Sequence, residues 1–138
     1  ILGAGGVVPS IIYSLLSMGC KKIFLSNRTI EKAENIKKKF DEVEILKWGE
    51  IPDFDIVINA TSVGLRGDSL DLEFNVKDKI FYDVIYNPKE TQFLKKARQN
   101  GNKIENGMFM FIYQANQSFS IWNNIIPKID DEVLKILE

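Results

Sequence analysis

The residues best placed to do chemistry open the chain. In "ILGAGGVVPS", Gly3, Gly5 and Gly6 stand around Ala4 and lead through Val7 into a helical apolar pattern. Glycines between a strand and a helix permit a tight turn. They let a diphosphate approach bare backbone N–H groups, and the helix N-terminus adds positive potential. The spacing is Gly-x-Gly-Gly, with Val8 where the fuller dinucleotide motif has its last glycine. A strand–helix turn that holds no ligand competes with this reading.

The second strand weighs on the choice. About 20 residues beyond such a turn, a dinucleotide fold places the group that reads the adenosine ribose, and an acidic residue there favours NAD. This chain has "SNRT" instead: Asn27, Arg28 and Thr29, with Lys32 following on the next helix. A guanidinium pairs with a phosphate through two parallel hydrogen bonds and stacks on adenine. Arg28 with Lys32, and no carboxylate at the strand tip, suits a 2′-phosphate, so NADP is expected over NAD. The competing reading makes both of them solvated surface charges. Further on, "NATSVG" (Asn59 to Gly64) places small polar residues after an apolar strand, where open α/β sheets bind ligands. A plain polar loop would look the same.

Composition removes other chemistries. The chain has no histidine, which excludes a Ser-His-Asp triad, histidine acid–base work and histidine-ligated zinc; no metal site is expected. Cys20 is the sole cysteine, so no internal disulfide can form, and a reducing cytoplasm fits. A net charge of −1 argues against a nucleic-acid partner. No apolar run is long enough to cross a bilayer. With 138 residues, 45% hydrophobic and 27% charged, the chain can build one domain with a core. Only Ile1 and Leu2 precede the glycines, whereas a parallel strand needs about five residues. The chain is therefore expected to be a piece of a longer protein.

The elements that must position these residues follow from periodicity. Val7, Val8, Ile11, Ile12, Leu15 and Leu16 have helical spacing, with Pro9 tolerable in a first turn and Gly19 as a left-handed stop. "KKIFLSN", "EVEIL", "DIVINA", "KIFYDVIY" and "NKIEN" read as strands. "IEKAENIKKKF" reads as a helix capped by Thr29, and "ETQFLKKARQN" as a helix stopped by Gly101. Strand and helix alternate closely. The economical fold is α/β: a Rossmann-like, doubly wound, mostly parallel sheet with helices on both faces. From about Gly107 the alternation gives way to C-terminal helices, first "GMFMFIYQANQSFSIWNN" and then "DDEVLKILE". Residues 1–138 are expected to form this one domain.

Together these pieces resemble the C-terminal, NADP-binding domain of the shikimate dehydrogenase family. The matching segments are "GAGG", "NRT" with Lys32, "NATSVG", "YDVIYNPKETQFL" and "GMFMFIYQANQSFSIW", in that order along nearly the whole chain. The family reversibly reduces 3-dehydroshikimate to shikimate with NADPH, on the route to aromatic amino acids. The resemblance implies that Gly3, Ala4, Gly5, Gly6 and Val7 hold the pyrophosphate. It gives the 2′-phosphate end to Asn27, Arg28, Thr29 and Lys32, and the cofactor groove to Thr61 and Ser62. Val84, Gly107 and Met110 then lie by the nicotinamide, while Tyr86 and Gln114 bind substrate.

Some of these residues have competing structural roles. Tyr86 could fill the core with its hydroxyl at the edge, and Met110 could plug it. Gln114, among Phe111, Ala115 and Phe119, is costly to bury unpaired and should face a cleft or a partner. Pro9, Ser10, Leu65 and "IWNN" depart from the family pattern without touching the expected chemistry.

In the family, the lysine and aspartate of the proton step come from an N-terminal substrate domain, which this chain lacks. No catalytic residue is therefore expected here, and the chain alone should bind NADP with essentially no turnover. Loss of that domain should expose Phe109, Phe111, Ile112 and Trp122, and a homo-oligomer is expected. Two alternatives stay open: the NADP domain of another reductase, such as glutamyl-tRNA reductase, or a non-catalytic NADP-binding module.

Overall fold

The computed structural model describes residues 1–137. Its elements run α1 (Val8–Ser17), β1 (Ile23–Ser26), α2 (Ile30–Lys37), β2 (Val43–Leu46), β3 (Ile56–Asn59), β4 (Ile80–Asp83), α3 (Gln92–Gln99), β5 (Lys103–Glu105), α4 (Met108–Asn123) and α5 (Asp131–Leu137). β1 pairs with β2, β3 with β4, and β4 with β5, every pair parallel. Leu2 joins the two groups through parallel bridges to Ser26 and Asn59. Its amide donates to the Ile58 carbonyl and its carbonyl accepts from Ala60, both at 2.8 Å; Gly3 donates to the Ser26 carbonyl at 2.8 Å. The strand order is thus β2, β1, the Leu2 segment, β3, β4, β5. The chain leaves Leu2 towards β1 on one side and returns to β3 on the other. The glycine turn therefore stands at the point where strand order reverses, the place where open α/β sheets bind ligands.

Two apolar clusters hold the layers. Val8 and Ile12 of α1 and Ala33 and Ile36 of α2 pack with Ile23, Leu25 and Val43 of β1 and β2. Phe93, Leu94 and Ala97 of α3 pack with Leu2, Val57, Leu70 and Phe81. In the second cluster Phe74 sits edge-on to Phe54, Phe81 and Phe93, with centroids 5.4–6.0 Å apart. That geometry suits the ring quadrupoles.

Several local expectations hold. Pro9 lies in the first turn of α1, and Gly19 and Gly101 adopt φ of +84° and +83° after α1 and α3. Others need correction. Thr29 occupies the N-cap of α2 but its side chain makes no capping bond; Thr91 at the head of α3 does cap, accepting from Leu94 N. The strand expected to reach Tyr86 ends at Asp83, because the Asp83 carboxylate takes the Ile85 N–H at 3.0 Å and turns the chain. Ile112, expected on an exposed face, is buried, while Phe109, Phe111 and Trp122 are exposed.

Candidate functional site

Because every pairing is parallel, the carboxyl ends of β1, the Leu2 segment, β3 and β4 share one edge of the sheet. The residues that follow them are Asn27–Arg28–Thr29, Ala4 to Val7, Thr61–Ser62, and Val84 to Tyr86. Segments far apart in sequence meet there.

Gly3 is required twice over. Its φ is +100°, and a Cβ would come 2.7 Å from the Ala60 carbonyl oxygen and 3.0 Å from Thr61 Cγ2. The glycine turn and the "NATSVG" loop are thus in backbone contact. Gly5 and Gly6 are exposed; a Cβ on Gly6 would meet nothing within 4 Å, and one on Gly5 only the Ala60 oxygen at 3.9 Å. Among the described residues no backbone carbonyl takes the N–H of Ala4, Gly5, Gly6 or Val7. Val7 is the N-cap of α1, without a side-chain capping bond. Amides without a backbone partner therefore lie at the positive end of a helix, an arrangement suited to an anion.

Beside that turn, Asn27 folds back, its Nδ2 donating to the Thr29 carbonyl at 2.6 Å. Arg28 and Lys32 are exposed. The close ion pairs among the described residues engage Lys79, Lys96 and Arg98, and neither Arg28 nor Lys32 takes part in one. Among the described residues, the cation expected to read a phosphate is therefore not committed to a carboxylate.

At the other end of the edge, Gly107 seats the start of α4 against the segment that follows β4. A Cβ there would collide with the Val84 carbonyl, and the Gly107 amide donates to the Ile85 carbonyl at 3.2 Å. Tyr86 lies outside the core, stacked on Phe111 with centroids 4.6 Å apart and planes 23° from parallel. The core-filling alternative for Tyr86 is excluded. Gln114, one turn beyond Phe111 on α4, is exposed, and Met110 is half-buried. Tyr86, Phe111 and Gln114 thus mark one end of the edge, while Arg28 and Lys32 mark the other.

Between them lies a feature that sequence reasoning missed. Asn59 and Asp83 are register partners on β3 and β4, and neither has any exposed surface. Asn59 Nδ2 lies 3.1 Å from both Asp83 oxygens and donates to the Val63 carbonyl. Asn59 Oδ1 accepts from the Thr61 amide at 3.1 Å and its hydroxyl at 2.7 Å. Asp83 also accepts from Thr91 Oγ1 at 2.6 Å. Burial holds the Asp83 carboxyl above its ordinary range, against the smaller opposing pull of the bonds from Thr91, Ile85 and Asn59. The only signal in the sequence was an aspartate closing the apolar run "IFYD".

An apolar cavity of about 330 Å³ lies elsewhere, among Ile1, Phe24, Phe54 and Ile58 and towards the amino ends of β1 and β3. It contains none of the candidate site residues. No helix among the described residues is long and apolar enough to cross a membrane.

Comparison with known proteins agrees with this fold. The family model for shikimate/quinate 5-dehydrogenase matches residues 1–65. A shikimate dehydrogenase (NADP(+)) of Pelagibacter ubique is 54% identical over 141 residues, covering all of this chain and 53% of its own length. The crystal structure of Listeria monocytogenes shikimate 5-dehydrogenase, in complex with shikimate and NAD, superposes with a TM-score of 0.85 at 27% identity, over 99% of this chain and 54% of that one. A shikimate dehydrogenase crystallised with NADP+ superposes at 0.77 with 36% identity, over 99% of this chain and 51% of that one. The chain spans about half the length of the relatives it matches. These matches favour shikimate dehydrogenase over the glutamyl-tRNA reductase alternative. By whole-chain sequence similarity, fold and the order of its motifs, the chain is similar to about half of a shikimate/quinate dehydrogenase.

Proposed function

We propose that this chain is the NADP-binding half of a shikimate dehydrogenase, working with a second domain that supplies the groups for proton transfer. The observation that carries the cofactor reading is the pair of uncommitted cations, Arg28 and Lys32, beside a glycine turn at the switch point of the sheet. The residues fit the group. Gly3 allows backbone contact with the Ala60 loop, Gly5 and Gly6 leave the approach open, and amides of the turn are unclaimed. Asn27, Arg28, Thr29 and Lys32 would hold the 2′-phosphate end, and Gly3 to Val7 the diphosphate. Thr61 and Ser62 would line the groove, with Val84, Gly107 and Met110 beside the nicotinamide.

When bound, NADPH would supply the hydride that reduces the carbonyl of 3-dehydroshikimate to the alcohol of shikimate. This chain's own part is to bind and orient. Tyr86, braced by Phe111, and Gln114 offer a phenol and an amide to the substrate's hydroxyl and carboxylate groups. The test is titration of this chain with NADP and NAD by calorimetry. Preference for NADP supports the reading, and equal or weaker binding of NADP removes it.

Two further parts of the proposal concern surroundings. A cytoplasmic setting fits a nicotinamide-dependent biosynthetic role. Exposed Phe109, Ile121, Trp122, Ile125 and Ile126 form an apolar surface on and after α4, with Trp122 81% exposed. Such a surface favours self-association. Light scattering should give a dimer or larger species of this chain, and a strict monomer at high concentration would remove the homo-oligomer from the proposal.

A further inference from the structure

We infer that Asp83 is a positioning residue: through Asn59, Thr91 and the Ile85 amide, its buried carboxylate sets the loop carrying Thr61 and Ser62 against the loop carrying Val84 and Tyr86. The inference rests on the cofactor reading above and adds what holds the nicotinamide end of the groove in register.

The bonding pattern is one of acceptors matched to donors. Asp83 Oδ1 meets Asn59 Nδ2 at 3.1 Å and the Ile85 N–H at 3.0 Å; Oδ2 meets Asn59 Nδ2 at 3.1 Å and the Thr91 hydroxyl at 2.6 Å. Every neighbour donates, which suits a group with acceptors only. No ion pair among the described residues reaches this carboxylate. A buried charge without a counterion is held by these dipoles alone, so loss of any one is felt by the rest.

The network leaves by three routes. Asn59 Oδ1 and Nδ2 together fix Thr61 and Val63, and the Thr61 hydroxyl accepts from the Val63 amide at 3.1 Å. Ile85 is tied directly, between Val84 and Tyr86. Thr91 caps α3 and its methyl fills space beside Gly64, where a Cβ would come within 3.1 Å. Gly64, at φ +116°, also donates to Asp68 at 2.7 Å, closing the loop. Two loops from different strands thus share one buried anchor, and both face the proposed nicotinamide end. The Arg28 end receives none of these bonds.

That asymmetry supplies the test. Thr91→Val removes the hydroxyl at nearly constant shape, Thr91→Ser keeps it, and Asp83→Asn turns an acceptor into a donor facing donors. The probes are NADPH, which would span the whole edge, and adenosine 2′,5′-bisphosphate, which would reach only the Arg28 end. Thr91→Val and Asp83→Asn should weaken NADPH about tenfold, the order expected for one broken buried hydrogen bond. They should leave the bisphosphate within about twofold, and Thr91→Ser should restore NADPH binding. Val43→Ala, a core truncation on β2, should lower the melting temperature while sparing NADPH affinity.

Equal loss of both probes in Thr91→Val, or NADPH loss in Val43→Ala matching its loss of stability, would reduce Asp83 to a structural residue and overturn the inference. If Asp83→Asn does not fold, the Thr91 pair decides alone. Failure of the unaltered chain to bind the bisphosphate is a separate result. It would remove the cofactor reading, and the positioning role with it.

Discussion

Arg28→Ala should weaken NADP binding by roughly ten- to hundredfold while leaving NAD binding nearly unchanged, since a charge-assisted bond contributes about 1.5–3 kcal/mol. The size follows from what Arg28 is not doing. It is exposed and forms no close ion pair among the described residues, so its removal should cost the fold little. Its whole effect should appear in recognition of the 2′-phosphate. Lys32 stands in the first turn of α2, and Lys32→Ala should give a smaller loss in the same direction, because an ammonium contributes a point charge without the planar fork. Arg28→Lys should fall between unaltered and alanine. Calorimetric titration of each variant with both nucleotides measures the selectivity ratio. A ratio unchanged by Arg28→Ala would return Arg28 and Lys32 to the status of solvated surface charges.

The parts of this fold visible in the sequence are those fixed by local pattern. Ile23–Ser26, Val43–Leu46 and Ile56–Asn59 are short apolar runs bounded by polar residues, and each forms a strand where expected. The i, i+4 spacing of Val8 and Ile12 buries both without exposed area. The glycine turn and "SNRT" were legible as a pair because a parallel strand, a helix and a second strand bring them together by construction.

What stayed hidden depends on register across strands. Nothing in "IVINATSVG" or "IFYDVIYNPKET" alone says that Asn59 opposes Asp83, or that Thr91 returns beneath them. That alignment appears only once β3 and β4 are paired. The same holds for Ile112. Its helix is apolar on more than one side, so periodicity could not choose the face that packs. The core-filling alternative for Tyr86 fails because β4 stops at Asp83, which places the ring outside the core and against Phe111.

The Gly107→Ala substitution should be the most damaging single-methyl change in the chain, and the reason is contact rather than backbone conformation. Gly107 has φ of −77°, which any residue adopts. An added Cβ, however, would overlap the Val84 carbonyl oxygen and stand 2.6 Å from its carbon and 3.1 Å from its Cα. These are backbone atoms of the segment that follows β4, so no side chain can rotate away. Either α4 lifts from the segment after β4 or the Val84 peptide is displaced, a loss of roughly 3 kcal/mol or more. Gly6→Ala is the internal comparison. Nothing lies within 4 Å of its Cβ, and stability should stay within about 0.5 kcal/mol. Thermal unfolding followed by circular dichroism separates the two, and equal melting temperatures would mean that α4 is not seated on Val84 in solution. Function should follow the same division. Lifting α4 moves Phe111 from Tyr86 and carries Gln114 with it, so the substrate end of the edge should be lost while Arg28, held by β1 and α2, keeps its place. A Gly107→Ala chain that still folds should therefore retain adenosine 2′,5′-bisphosphate affinity within about twofold, because that end of the edge shares no hydrogen bond with α4.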